Sequence, residues 1–141
     1  MLKINETYKK LALSLPKSII NGESRLIVGF SGGPDSRFLV DFLRSVINNP
    51  INPRSNGIQE KARKIRLNIF CELSKKYKTP YIFLGHNFND HAETIFFNII
   101  RGSGYKGLEG IKSYKKIIIK EHTLFLMRPL IELTKNTIKN L

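Results

Sequence analysis

Hydrophobic and polar positions change period several times along the chain, and each change marks an element. Ile4, Tyr8, Leu11, Ala12 and Leu15 recur at helical spacing until Pro16, which predicts a short amphipathic helix whose role is packing. The apolar run Leu26-Ile27-Val28 predicts a strand, and Phe38, Leu39, Phe42 and Leu43 behind it restore a helical period as far as Ile47. Asn48-Asn49-Pro50-Ile51-Asn52-Pro53-Arg54-Ser55-Asn56-Gly57 carries two prolines and four asparagines and has no period, so it reads as the least structured stretch.

Ile58, Ala62, Ile65, Ile69, Leu73 and Tyr77 trace one face of a long helix, with Lys61, Arg63, Lys64, Arg66, Lys75 and Lys76 mostly elsewhere around it. Tyr81-Ile82-Phe83-Leu84 has the continuous apolar character of a strand covered on both sides. Asp90 or Asn89 is placed to cap the next helix, whose stripe Ala92, Ile95, Phe96, Ile99 and Ile100 is expected in the core and which ends at Gly102. Four glycines between Arg101 and Gly110 suggest a flexible lid or a close approach to a ligand. Lys116 to Lys120 and Leu124 to Met127 read as a hairpin around Glu121-His122-Thr123. After Arg128-Pro129-Leu130 the last residues begin a helix barely two turns long, too short to be stable by itself.

The turn between the first strand and its helix, Phe30-Ser31-Gly32-Gly33-Pro34-Asp35-Ser36, carries the chemistry. Two glycines let backbone N–H groups approach an anion at the positive end of a helix. Ser31 and Ser36 add hydroxyls, and Asp35 places a carboxylate where a divalent cation bridging phosphates would sit. The loop lacks the Lys of a Walker A sequence and is not G-x-G-x-x-G. Its spelling resembles the pyrophosphate loop of ATP pyrophosphatases; a Gly-rich turn capped by Asp35 or Ser36 is the bland alternative.

Composition narrows the class. The 141 residues suit one domain. A formal charge of +13 suits a polyanion such as RNA, although a chain this rich in Lys, Ile and Asn also fits the codon bias of an AT-rich genome. The one cysteine, Cys71, excludes a disulfide framework and a cysteine-held cluster within the chain. No apolar run reaches membrane-spanning length and no signal-peptide core follows Met1, so a cytoplasmic location is expected, with a mitochondrial or other organellar compartment as the alternative.

Gly85-His86-Asn87-Phe88-Asn89-Asp90-His91-Ala92-Glu93-Thr94 forms a second polar loop at a strand's carboxyl end, where open α/β sheets bind ligands. The phosphate loop, Ile58 to Arg66, this segment, the Gly-rich stretch from Arg101 and Arg128-Pro129-Leu130 together resemble, in order, the tRNA(Ile)-lysidine synthase family of PP-loop ATP pyrophosphatases. The resemblance implies an α/β fold: a Rossmann-like, adenine nucleotide alpha hydrolase-like parallel sheet with flanking helices, residues 1–141 being a single domain of that kind. The resemblance also implies that the domain is truncated on its C-terminal side, where the family carries tRNA-binding domains. It implies an ATP-dependent ligase that adenylates the wobble cytidine of tRNA(Ile) and joins L-lysine to its C2, releasing AMP and pyrophosphate. Ser31, Gly32, Gly33, Pro34, Asp35 and Ser36 would bind ATP, with Asp35 on Mg2+; His86, Asp90, Arg63 and Arg66 would join Asp35 in catalysis. Related tRNA thiolation enzymes share the loop but need cysteines that this chain lacks.

The chain departs from the family's G-H-H-x-D-D-Q-A-E-T at Asn87, Asn89 and His91. Only Asn48 to Gly57 stands where the family has two further strands. Leu26 to Phe30 is then expected at a sheet edge, which invites self-association. The alternative to the ligase is a catalytically inactive fragment, or a basic RNA-binding remnant of the fold.

Overall fold

A computed structural model describes residues 2–47 and 63–141, so the unstructured stretch read at Asn48 to Gly57 and the helical start at Ile58 lie outside the described residues. The elements run α1 (Leu2–Leu13), α2 (Lys17–Ile20), β1 (Ile27–Gly29), α3 (Pro34–Val46), α4 (Arg63–Tyr77), β2 (Tyr81–Leu84), α5 (Phe88–Ile100), a 3-10 turn (Tyr105–Glu109), β3 (Tyr114–Ile119), β4 (His122–Met127) and α6 (Lys135–Lys139). The sheet order is β1-β2-β4-β3, with β1, β2 and β4 parallel and β3 antiparallel to β4.

Alternation along the strands sends side chains to two cores. Phe83 packs with Leu39, Phe42 and Leu43 of α3, Leu11 of α1, Ile19 of α2 and Ile138 of α6. Ile82, Leu124 and Leu126 point the other way, onto Phe70 and Cys71 of α4. Helices therefore cover both faces, and this two-sided burial is why β2 reads as an unbroken apolar run. Among the described residues β1 pairs only with β2, so it is an edge strand, as expected from the short connection after α3.

Four readings need correction. The face of α4 turned to the sheet is Leu67, Phe70 and Cys71, about 150° around the helix from the predicted Ile65, Ile69, Leu73 row at ~100° per residue; Ile65 is half exposed. The stripe of α5 is not core: the helix buries no residue, and Phe96, Ile99 and Ile100 are more than half exposed. Periodicity identified the apolar side, but no layer among the described residues covers it. The Gly-rich stretch holds a 3-10 turn packed along α5, fixed by Asn98 Nδ2 donating to the Gly107 carbonyl (2.7 Å). The hairpin turns at Lys120 and Glu121, both at positive φ, so His122 and Thr123 already belong to β4.

Candidate active site

β1 ends at Gly29 and delivers the phosphate loop to the sheet's carboxyl edge. Gly32 lies at φ +82° with open space where a Cβ would be, a conformation glycine adopts without strain. Gly33, at φ −74°, is the N-cap of α3 and makes no side-chain cap; Pro34 opens the helix. The N–H groups of the first turn are thus left without a capping side chain, as an anion cradle requires. Ser36 is buried and donates to the Gly33 carbonyl (3.0 Å), with its Oγ 3.2 Å from Ser31 Oγ. The loop is braced from within.

β2 brings the second loop alongside. A Cβ on Gly85 would stand 3.2 Å from the backbone N and Cα of Ser36, a contact that only glycine makes without displacing the loop. Asn87, fully buried, donates from Nδ2 to Asp35 Oδ2 (2.8 Å) and accepts on Oδ1 from the Asp90 N–H (3.1 Å). Asp90 Oδ2 in turn accepts from the Asn87 N–H (3.0 Å). Asn87, and not Asn89 or Asp90, is the N-cap of α5, and Asp90 is the reciprocal member of its capping box. The Asn-x-x-Asp spacing was the available signal. One buried amide therefore joins Asp35 and Asp90, two of the predicted site residues.

His86 follows Gly85 and is half-buried. Arg128 Nε, at the end of β4, donates to His86 Nδ1 (3.2 Å). A ring nitrogen that accepts carries no proton, so the neutral ring holds its hydrogen on Nε2 and presents a donor there. Burial first, and the Arg128 guanidinium second, lower the His86 pKa below its ordinary value; Asp90 opposes them and Arg66 adds to them. Arg66 is exposed on α4, near enough for its charge to act on His86. Arg63 opens α4, but its side chain lies outside the described residues.

Asn89 turns away from this cluster and accepts from the Lys135 N–H (2.9 Å), anchoring the start of α6, while Lys135 Nζ lies 3.9 Å from Asp90 Oδ1. His91 ties α5 to the segment after the 3-10 turn, accepting on Nδ1 from the Ile111 N–H (3.0 Å). Two of the three departures from the family's motif thus have structural partners, and the third, Asn87, is the link between the loops. The sequence did not single out Asn87 or Arg128 for these tasks. Concavities of about 420 Å³ beside Thr79 and about 400 Å³ beside Leu133 are lined by residues outside the two loops, the second by Arg128 and Leu133, which hydrogen-bond His86 and Phe88. Asp35 offers one carboxylate beside the cradle, and one carboxylate with phosphate oxygens is a donor set that magnesium accepts, so the residues fit the ion.

The family described as PP-loop domain matches residues 46–141. The chain is similar to proteins named tRNA(Ile)-lysidine synthase: 37% identical to that of Clostridioides difficile over 72% of this chain, and 29% identical to that of Borreliella afzelii over 99% of it. A third, from Francisella philomiragia, is 29% identical over 83%. The chain spans 21%, 38% and 38% of the lengths of these relatives. The Borreliella comparison extends over 185 positions against 141 residues here, so that relative has residues without counterparts in this chain. Among solved structures, the U34-tRNA thiolase NcsA of Methanococcus maripaludis, described with its [4Fe-4S] cluster, superposes with a TM-score of 0.68 at 19% identity, covering 97% of this chain and 61% of that one. That likeness establishes a shared fold.

Proposed function

Because the chain belongs to the PP-loop domain family, we propose that it binds ATP at Ser31 to Ser36 and carries out the ATP-dependent step of lysidine formation: adenylation of the wobble cytidine of tRNA(Ile), then displacement of AMP by L-lysine at C2. The observation that carries the reading is the Asn87 bond to Asp35, which with the Gly85 contact sets the phosphate loop and the His86–Asp90 loop side by side. The names of the relatives supply the tRNA, lysine and reaction class.

In this reading the loop's N–H groups and Ser31 hold the pyrophosphate moiety, and Asp35 would hold magnesium. The ion, when bound, offsets charge gathering on the departing pyrophosphate. His86 directs its Nε2–H to the reacting nucleotide as a fixed donor. It does not serve as a cation at neutral pH, because its pKa is lowered. Asp90 is held by the Asn87 N–H and offers negative charge to the ammonium of lysine. Arg66, and Arg63 with it, supply positive charge for phosphates.

A catalytically inactive remnant is the second reading, favoured by the position of β1 at the sheet edge among the described residues, which leaves the phosphate loop supported from one side. Incubation with ATP, Mg2+, L-lysine and tRNA(Ile), followed by mass spectrometry of the tRNA, separates the two. Lysidine and pyrophosphate are expected from the parent chain, and neither from Asp35→Ala. No product from the parent, or equal pyrophosphate from both, overturns the ligase reading.

A further inference from the structure

The amino end of the sheet gathers cations that the candidate active site does not use. A concavity of about 420 Å³ opens between the residues leading into β1 and those joining α4 to β2, and Arg25, Lys76 and Lys78 stand around it. The phosphate loop and the His86 loop lie at the other, carboxyl end of the strands. The four residues of β2 put on the order of 13 Å between the two ends, at ~3.3 Å per residue. Among the described residues none of these three cations forms an ion pair, whereas the neighbouring Lys75 lies 3.8 Å from Glu72.

Two buried hydroxyls hold the walls together. Ser74, 1% exposed, donates to the Thr79 carbonyl (2.6 Å), and Thr79, 3% exposed, donates from its own hydroxyl to the Arg25 carbonyl, 54 positions away in the chain. Lys76 Nζ lies over the Tyr77 ring, 5.6 Å from its centre, which restricts where that charge sits. α4 closes with the Thr79 N–H donating to the Ser74 carbonyl (3.1 Å) and the Lys78 N–H to the Lys75 carbonyl (3.3 Å), the two bonds of a Schellman motif with Lys78 at C′. That position takes a left-handed φ of +52°, which glycine adopts without strain and lysine does not. The negative end of the helix favours a cation in its last turn, which accounts for Lys76. It does not account for Arg25, which arrives from another segment, and it does not require lysine where glycine closes most such motifs.

Three cations against the single acid Glu23 leave the rim at a net +2. A phosphate monoester carries about −1.5 to −2 at neutral pH, and a guanidinium offers it two parallel N–H donors. We propose that this concavity is a second anion site, which takes a phosphate group on Arg25, Lys76 and Lys78 independently of the phosphate loop. The phosphate is carried by a small phosphorylated molecule or by a polynucleotide backbone, and the chemistry at the three cations is the same.

Amide NMR of the 141-residue chain, titrated with inorganic phosphate at constant ionic strength, tests this. Saturable shifts are expected at Arg25, Tyr77, Lys78 and Thr79, resolved from any at Gly32 to Ser36. Lys78→Gly is expected to act in two opposed ways. It weakens phosphate binding at these amides about fivefold, as the loss of one exposed charge pair does, and it raises the denaturant midpoint in phosphate-free buffer, because glycine relieves the left-handed C′ position. Arg25→Gln with Lys78→Gly abolishes the shifts here and leaves those of the phosphate loop unchanged, while Glu23→Gln tightens binding. Absence of saturable shifts at these amides, shifts that sodium chloride reproduces, or undiminished binding in the double variant overturns the proposal. Where the shifts are present, displacement of phosphate by single-stranded oligouridylate assigns the polynucleotide source, and displacement by adenosine monophosphate alone assigns the small-molecule source. The amides read lie at the opposite end of the sheet from the phosphate loop, so the outcome is independent of the ligase reading.

Discussion

Helices α3 and α5 each have 13 residues, each follow a short parallel strand through a polar loop, and each carry a row of large apolar side chains. α3 buries Phe38, Leu39, Phe42 and Leu43, and α5 buries nothing. α3 lies against β1 and β2 and is covered from behind by α1 and α6, so its stripe has partners on two layers. α5 packs chiefly on the 3-10 turn, a single short element. Apolar periodicity therefore tells which side of a helix seeks cover and not whether the chain supplies it.

The sharpest way to break that comparison is to cut the same side chain from both helices. Phe42→Ala is expected to cost about 3–5 kcal/mol in chemical denaturation, since it empties a fully enclosed site. Phe96→Ala should cost less than ~1 kcal/mol, because that side chain is mostly exposed. Equal costs would mean that α5 is packed in solution.

A smaller effect sits at the helix starts. α3 opens on Gly33 without a side-chain cap, whereas α5 opens on Asn87 with a reciprocal one. Asn87→Ala removes the cap and leaves Asp35 without its amide partner, for about 1–3 kcal/mol of stability. It should also weaken ATP binding, which isothermal titration would record. The corresponding Gly33→Ala should scarcely alter stability, because no side-chain cap is lost there and the φ of −74° suits alanine.

The smallest expected effect is the pH response of His86. Its folded pKa lies below the unfolded value, so the unfolded chain binds the additional proton and stability falls as pH drops below about 6.5. Arg128→Met removes the second cause of the shift and leaves burial. The His86 resonance should then titrate at higher pH than in the parent, while remaining below the ordinary value, and the acid loss of stability should shrink. An unchanged titration would show that Arg128 does not act on the ring.

Much of the fold was legible because it depends on local pattern: β2 as a doubly covered strand, α3 as an amphipathic helix behind Ser31 to Ser36, and β1 at the edge of the sheet formed by the described residues. The face of α4 was misread because Ile65, Ile69 and Leu73 form as regular a row as Leu67, Phe70 and Cys71, and only the sheet's position chooses between them. The cap at Asn87 was overlooked although Asp90 three residues later spells a capping box.

The sequence alone determined the conformation of the Ser31 to Ser36 turn, because glycine, serine and proline at fixed offsets act through their own backbone and first helical turn. It also determined which residues of α5 are apolar. Only the tertiary structure decided that Asn87 joins Asp35 to Asp90, that Arg128 sets the His86 tautomer, and that α5 buries none of its residues. Those facts rest on contacts between residues far apart in the chain, such as Asp35 with Asn87 and His86 with Arg128, and the order of side chains along one segment carries no record of what another segment brings against it.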